Sequence, residues 1–408
     1  MRVVDGPTLA PIRTPGPHPR AAGPVIPNWR AALRGCRRAE IAPNRSWRGG
    51  TGEFAARYFL AVQVGCGDCR YRKRVVPMSE ALMRTDVIER AVELACRAPS
   101  LHNSQPWRWV ADGTVLHLFA DPSRIGRHTD STGREVIISC GAVLDHLRIA
   151  MAAAGWQAAI DRYPDPSNRD HLACVEFHRM PLITPDQRDR ARAIGQRRTD
   201  RLAFAAPLRW GLFEPVLRAI VDSSVADLDV IDDSGRPALA AASRLSEERR
   251  SHDSLYQAEL SWWTGRSGSQ NEGIPAPALV SESEAERVDV ARTTFPTSGH
   301  GRRRAGIERD RSMILVLSTY DDSPGNALRC GEVLSSILLE CTVAELATCT
   351  LTHMIEVHAS REAVRRLTGR IAEPQLLIRV GRALPSRHDP PPPATPRRAL
   401  SDVLELAV

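Results

Sequence analysis

Residues 134–154 leave almost no polar face. Ile137, Ile138, Cys140, Gly141, Val143, Leu144, Leu147 and Ile149 lie all round the helix that their spacing predicts, so that helix has to be covered on every side. Gly155 stands just past its end, where a left-handed C′ residue is expected. Residues 327–346 predict a second buried helix, its counterpart. Strands are predicted at 107–110 and 115–120 around the hairpin signal Asp112-Gly113, and again at 157–163, 171–178, 225–231, 312–320 and 375–380. Further helices are predicted at 86–96, where Asp86 and Glu89 have the spacing of a capping box, and at 186–194, 210–223 and 238–263.

Composition allows this much structure. The chain has 408 residues, 42% of them hydrophobic and 25% charged, enough for a sizeable core in two or three domains. The net charge of +7 is unevenly spread. Residues 1–77 hold fourteen Arg or Lys against four acids, a net of +10, which leaves the remainder at −3. The pI of 9.1 therefore says little about the partners of the globular part. Residues 1–50 are rich in Pro, Gly and Arg without periodicity and are expected to be disordered. The basic cluster 70–74 reads either as a solvated tail or as a patch for nucleic acid or acidic lipid. Met78 and Met83 are alternative starts for the body, so that 1–77 reads as a mis-called start. Cys66 and Cys69 form a lone CxxC with no second pair, and no metal site is expected. Cys140, Cys330, Cys341 and Cys349 read as core residues. No transmembrane segment or secretory signal is expected, and a reduced cytoplasmic protein fits.

Three stretches carry chemistry. In the first, Arg97 to Trp109, Pro99 ends a helix, and Ser100, His102, Asn103, Ser104 and Gln105 crowd a short turn before a strand. Such a turn either satisfies its own backbone or hydrogen-bonds the edge of a planar heterocycle. Trp107 and Trp109 read as core. In the second, Arg197, Arg198, Thr199 and Arg201 set three guanidinium groups and a hydroxyl into five positions, either solvated charge or a phosphate grip. The third is a long connection from Thr264 through Pro277 and on to Arg311, polar in its second part, which reads as a lid, a disordered insertion or a mobile surface loop. No G-x-G-x-x-G follows a strand, so no dinucleotide-binding domain is implied.

Ala98-Pro99-Ser100 followed by Asn103-Ser104-Gln105-Pro106-Trp107 resembles the signature of the FMN-dependent nitroreductase family. With His102 and Trp109 the stretch resembles the dormancy-associated, Acg-like NAD(P)H nitroreductase branch, and the resemblance runs from about residue 86 to 404. It implies an α+β, nitroreductase-like fold with FMN as cofactor and NAD(P)H as reductant. Arg197 to Phe204 resembles the element that grips the FMN phosphate at the start of an ordinary family subunit, and here it opens a second half. Family members are homodimers with FMN at the seam. This chain has a good Asn loop only in its first half and a good Arg loop only in its second, which implies a fused, monomeric pseudo-dimer with one flavin site. The expected divisions are an extension 1–77, halves at 78–195 and 196–408, and a lid-like insertion at about 264–311.

The cofactor-binding residues carried over are Pro99, Ser100, His102, Asn103, Gln105, Arg197, Arg198, Thr199, Arg201, Leu351, Thr352, His353 and Arg398. Ser100, Asn103 and Gln105 are expected on the ring edge or ribityl chain, and His102 either near the ring or bonded to backbone. Leu351 to Met354 match a turn whose main chain approaches flavin N5, although His353 and Met354 replace the Glu and Pro of close relatives. Arg398 is expected to reach the phosphate, in preference to Arg397. No protein group is expected to be catalytic, since the flavin carries the reaction. The implied function is hydride transfer to a nitro compound or quinone. The alternative is a protein that sequesters FMN under a closed lid, and a nucleic-acid role for the basic tail is a weaker third.

Overall fold

A computed structural model describes residues 84–113, 115–124, 126–266, 272–293, 295, 297, 301, 303–384 and 394–407. The extension expected to be disordered, the basic cluster, the CxxC pair and the alternative starts lie outside them. The first half runs α1 (Thr85–Ala95), β1 (Trp107–Asp112), β2 (Val115–Ala120), α2 (Arg134–Ala153), β3 (Trp156–Arg162), β4 (His171–Arg179) and α3 (Pro185–Gln196). The second continues with α4 (Trp210–Ile220), β5 (Asp227–Ile231), α5 (Arg236–Ser251), α6 (Ser254–Ser261), α7 (Glu282–Ala285), β6 (Met313–Thr319), α8 (Pro324–Val343), β7 (Ala347–Leu351), α9 (His358–Thr368) and β8 (Glu373–Gly381). The chain ends with α10 (Leu400–Val403) and β9 (Leu404–Ala407).

The strands form two sheets of the same design. One has the order β3-β4-β2-β1-β9, the other β7-β8-β6-β5. Apart from β9, each strand of the first sheet has a counterpart at the same place in the second, and all these neighbours are antiparallel. In both halves the long buried helix joins the second strand to the third. The terminal strand β9 leaves the second half and pairs with β1 in parallel, Trp109 opposite Leu404.

The two long helices cross where neither has a side chain. A Cβ on Gly141 would stand 2.0 Å from the Leu328 carbonyl oxygen, and one on Gly331 would stand 2.0 Å from that of Ile138. Gly141 and Gly331 are each the eighth residue of a twenty-residue helix. Each is flanked in the same way, as Cys140-Gly141-Ala142-Val143-Leu144 and Cys330-Gly331-Glu332-Val333-Leu334. The close approach lets side chains cross over: Ile138 of α2 packs in the second half's core, and Leu328 of α8 packs in the first. α2 is long and apolar enough for a membrane span by composition, but its length is mostly buried against α1, α8 and its own sheet.

Some local expectations fail. Asp86 and Glu89 make no capping box; Arg84 is the N-cap without a side-chain bond, and exposed Asp86 pairs with Arg84 and Arg90 instead. The helix expected over 238–263 is broken, because Asp253 accepts from the Tyr256 N–H at 3.1 Å and starts a new helix. A one-turn π-helix, Trp262–Arg266, follows it. The run toward residue 311 is not uniformly polar surface, since Leu279, Val288, Val290 and Ile307 are buried there.

Candidate functional site

The turn after α1 is held in an uncommon backbone shape. His102, Asn103 and Gln105 all have positive φ (49°, 60° and 50°), a conformation that non-glycine residues adopt only when surroundings impose it. Those surroundings are visible. Ser100 Oγ accepts from the Gln105 N–H at 3.0 Å, and the Leu101 N–H donates to Ser139 Oγ of α2 at 3.1 Å. Asn103 Nδ2 donates to the carbonyls of Gly273 (3.0 Å) and Pro396 (3.1 Å), while its Oδ1 accepts from Arg397. Gln105 Oε1 accepts from the Arg398 N–H at 2.8 Å. Asn103 and Gln105 thus tie the turn to the C-terminal crossing and to the 272–274 segment, and neither lines the cavity described next.

A cavity with about 1120 Å³ of empty space lies between the halves. Pro99, Ser100 and His102 of the turn border it, as do Glu135, Ile138 and Ser139 of α2. Thr199 and Arg201 enter from the loop after α3, and Leu351, Thr352 and His353 from the end of β7. Leu279, Val288, Arg292 and Phe295 close the remaining side. Eight of the thirteen residues expected at the site therefore meet around one space.

The loop carrying Thr199 and Arg201 is stitched to the second sheet. The Asp200 N–H donates to the Thr348 carbonyl at 2.9 Å. Buried Arg379 donates to the Leu202 carbonyl (2.9 Å) and to Asp310 (2.6 Å), whose other role is to accept from the Phe204 N–H. Residues 197, 199 and 201 of this irregular stretch all reach the interior, Arg197 at 6% exposure.

Off the cavity lining is a group of four arginines, Arg97, Arg197, Arg198 and Arg397, of which Arg97 and Arg197 stand two residues along the chain from the lining residues Pro99 and Thr199. Among the described residues none of them has a carboxylate within 4 Å. Arg197 and Arg397 both donate to the Arg97 carbonyl, at 3.4 and 3.0 Å, and buried Arg197 Nε has no partner. Burial first, then the neighbouring guanidinium groups, drive the pKa values of Arg197 and Arg397 down. A guanidinium keeps its proton in a folded protein, so crowded positive charge of this kind calls for an anion. Arg398, expected at the phosphate, donates through Nη1 to the Gln105 and Trp107 carbonyls and through Nη2 to that of Asp402, and it lies 3.5 Å from Asp121; Arg397, which also donates to backbone carbonyls, stands in the arginine group. The reason is local: the turn's carbonyls and the Asn103 side chain take the two neighbouring arginines to opposite sides.

The cavity's other titratable groups are set by burial. His102 and His353 are driven well below the usual histidine range by burial, then by Arg292, with Arg201 adding to the effect on His102. Both rings are neutral at physiological pH. His102 Nε2 has no partner and its ring meets Phe295 edge-on at 5.8 Å, while His353 Nε2 pairs with Ser243 Oγ at 2.8 Å. Glu135 is displaced the opposite way, to about 8, by burial first and by nearby Glu356 next, against the pull of Arg134. The sequence reading did not single out Arg97, Glu135, Arg292 or Phe295. Glu135 was visible only as a lone acid in the first turn of an apolar helix, and nothing marks Arg292 and Phe295 in the insertion.

No protein-family model matches the chain. A Mycobacterium tuberculosis protein named "Putative NAD(P)H nitroreductase acg" is 51% identical over 329 residues, 81% of this chain and 98% of that protein. An uncharacterized protein of the same organism is 55% identical over 324 residues, covering 78% of this chain and 93% of its own length. Among solved structures, the FMN-dependent nitroreductase NfnB of Mycobacterium smegmatis covers 54% of this chain and 99% of its own at 15% identity and a TM-score of 0.35, a likeness on which nothing below rests.

Proposed function

This chain belongs to the family of the mycobacterial Acg NAD(P)H nitroreductase, and we propose that it is an FMN-binding oxidoreductase that uses NAD(P)H to reduce a small nitro compound or quinone. One observation carries the reading: among the described residues four arginines without a carboxylate, one with an unpartnered buried Nε, cluster at the root of the two segments whose Pro99 and Thr199 line the cavity. That donor set fits the phosphate of FMN, and the mostly apolar cavity with a few inward polar groups fits its ring. Bound FMN would supply the two-electron chemistry, accepting hydride at N5 and passing it on.

The protein's own work is binding, orientation and exclusion of water. Arg197, Arg198, Arg397 and Arg97 bind the phosphate, and the Thr199 hydroxyl and Arg201 extend that grip into the cavity. Ser100, Pro99 and neutral His102, with the main chain at Leu351, Thr352 and His353, line the cavity that would hold the ring. Asn103 and Gln105 position the turn, and Arg398 anchors it through carbonyls. Leu279, Val288 and Phe295 exclude water. In this reading the chain is a fused pseudo-dimer with one site. Repeated sheet order and the reciprocal Gly141–Gly331 crossing support it, with the division near 195 and β9 returned to the first half. Six described cysteines, all buried and unpaired, agree with a reducing cytoplasm.

The test is an anaerobic absorbance trace of FMN-loaded protein mixed with NADPH, then NADH. Rapid loss of the flavin band, followed by its return with a nitro compound or quinone, is the expected result at one flavin per chain. A colourless protein that takes up no FMN overturns the reading. The rival, sequestration under a closed lid, is favoured by bonds that fasten residues 272–293: Arg124 with Glu272, Asn103 with the Gly273 carbonyl, and Arg292 with Glu356. It predicts a protein that stays yellow with both nucleotides yet bleaches with dithionite.

A further inference from the structure

We propose that Glu135 delivers protons to the cofactor cavity, taking them from solvent through a second pocket on its other side. The inference rests on the oxidoreductase reading above. Glu135 borders both spaces. The second pocket holds about 810 Å³ of empty space between the N-terminal ends of α2 and α8, with Arg134 and Ile137 from one and Pro324 and Ala327 from the other. Ser131, Thr132 and Asp322 are exposed at its rim, so it meets solvent.

The carboxyl is placed to exchange a proton, with one oxygen bonded to Arg134 and the other without a partner among the described residues. Glu135 is 3% exposed, and its Oε2 has no hydrogen-bond partner among the described residues. Its Oε1 is 3.3 Å from Arg134 Nη2, while Arg134 Nη1 donates to Gln375 of β8, to the carbonyl at 3.0 Å and to Oε1 at 2.7 Å. The free N–H at the start of α2 goes to Asp130, which accepts from Val136 at 2.8 Å. Facing Glu135 are Arg134 on its own helix, Asp130 from the preceding loop, Glu356 from the turn after β7, and Arg292 from the insertion. Burial and the two acids outweigh the two arginines and keep the group protonated near neutrality.

Among the described residues lining the cavity, no other group fills this role. His102 and His353 are held unprotonated, Cys349 is pushed up by burial, and Arg201 and Arg379 keep their protons. The reaction needs a donor. Converting a quinone to its hydroquinone takes two electrons and two protons. NAD(P)H gives both electrons and one proton as hydride, becoming NAD(P)⁺. Glu135 gives the second proton, which forms an O–H bond on the former quinone oxygen, and the resulting carboxylate is reprotonated from the second pocket.

The test uses the full chain with Glu135→Gln and Glu135→Asp. Infrared difference spectra of the protein between pH 6 and 9 are expected to show a buried protonated carboxyl that titrates, and that disappears in Glu135→Gln. Then FMN-loaded protein is photoreduced and mixed with a quinone. Glu135→Gln is expected to slow reoxidation at least tenfold and to abolish its decline above about pH 8, and Glu135→Asp to restore part of the rate. An unchanged carboxyl band, or equal reoxidation rates at every pH, overturns the proposal. Photoreduction separates the two readings: wild type that resists NADPH but keeps its Glu135-dependent reoxidation retires nicotinamide oxidation and leaves the proton route standing.

Discussion

Arg397 and Arg398 are chain neighbours in different company. Both donate to backbone carbonyls, Arg397 to those of Cys96, Arg97 and Pro396 and Arg398 to those of Gln105, Trp107 and Asp402, but Arg398 lies 3.5 Å from Asp121 while Arg397 stands in the group without carboxylates. Removing a charged hydrogen bond to a ligand costs about 1.5–3 kcal/mol, so Arg397→Ala should weaken FMN binding by roughly 10- to 100-fold by fluorescence titration. Arg398→Ala should alter it by only a few-fold and act mainly on stability. The resemblance favours Arg398 and the charge cluster favours Arg397, and the two variants decide between them, because a linear motif carries no information on which side of the backbone each side chain leaves. Glu135 gives a second prediction. Its folded pKa lies above the unfolded value of 4.5, so its contribution to stability is complete below that value and is lost as pH rises through about 8. Calorimetry should find that the melting temperature falls more between pH 6 and 9 in wild type than in Glu135→Gln.

At the scale of elements, the crossing of α2 and α8 leaves no room for a methyl group. Gly141→Ala or Gly331→Ala puts a Cβ against a carbonyl on rigid helix backbone, and overpacking of this kind costs about 1–3 kcal/mol or more. Either substitution should lower the denaturant midpoint without changing the m-value, and the double variant should lose more than either alone. Both helices were legible in the sequence because an apolar face all round admits only burial. So was their correspondence, but not the crossing itself: a short Cys-Gly-x-Val-Leu match gains meaning only once the structure aligns the two glycines. β7 and α9 went unread for another reason. Residues 347–351 carry three threonine or cysteine side chains, and the helix at 358–368, though amphipathic, is too charged overall to stand out as a core element, with only Ser360 and Val364 buried. The break at Asp253 was hidden because a capping aspartate looks, in sequence, like any polar residue on an exposed helical face.

On the scale of the whole molecule, residues 272–293 act as a wall fastened from both sides. Arg124 and Glu272 hold one end to the first half, and Arg292 with Tyr256 and Glu356 hold the other to the second. Glu272→Ala should loosen the first end without touching either core, and stopped-flow release of FMN should quicken by about tenfold. Unchanged release would mean that the wall does not retain the ligand. The first sheet, meanwhile, is completed by the last few residues of the chain, and Arg397 arrives just ahead of them. During synthesis the first half emerges early, but one edge of β1 stays open and the arginine group stays one member short until residues 397–407 follow, far along the chain. A chain stopped short of residue 397 would leave β1 an exposed strand edge and the arginine group incomplete.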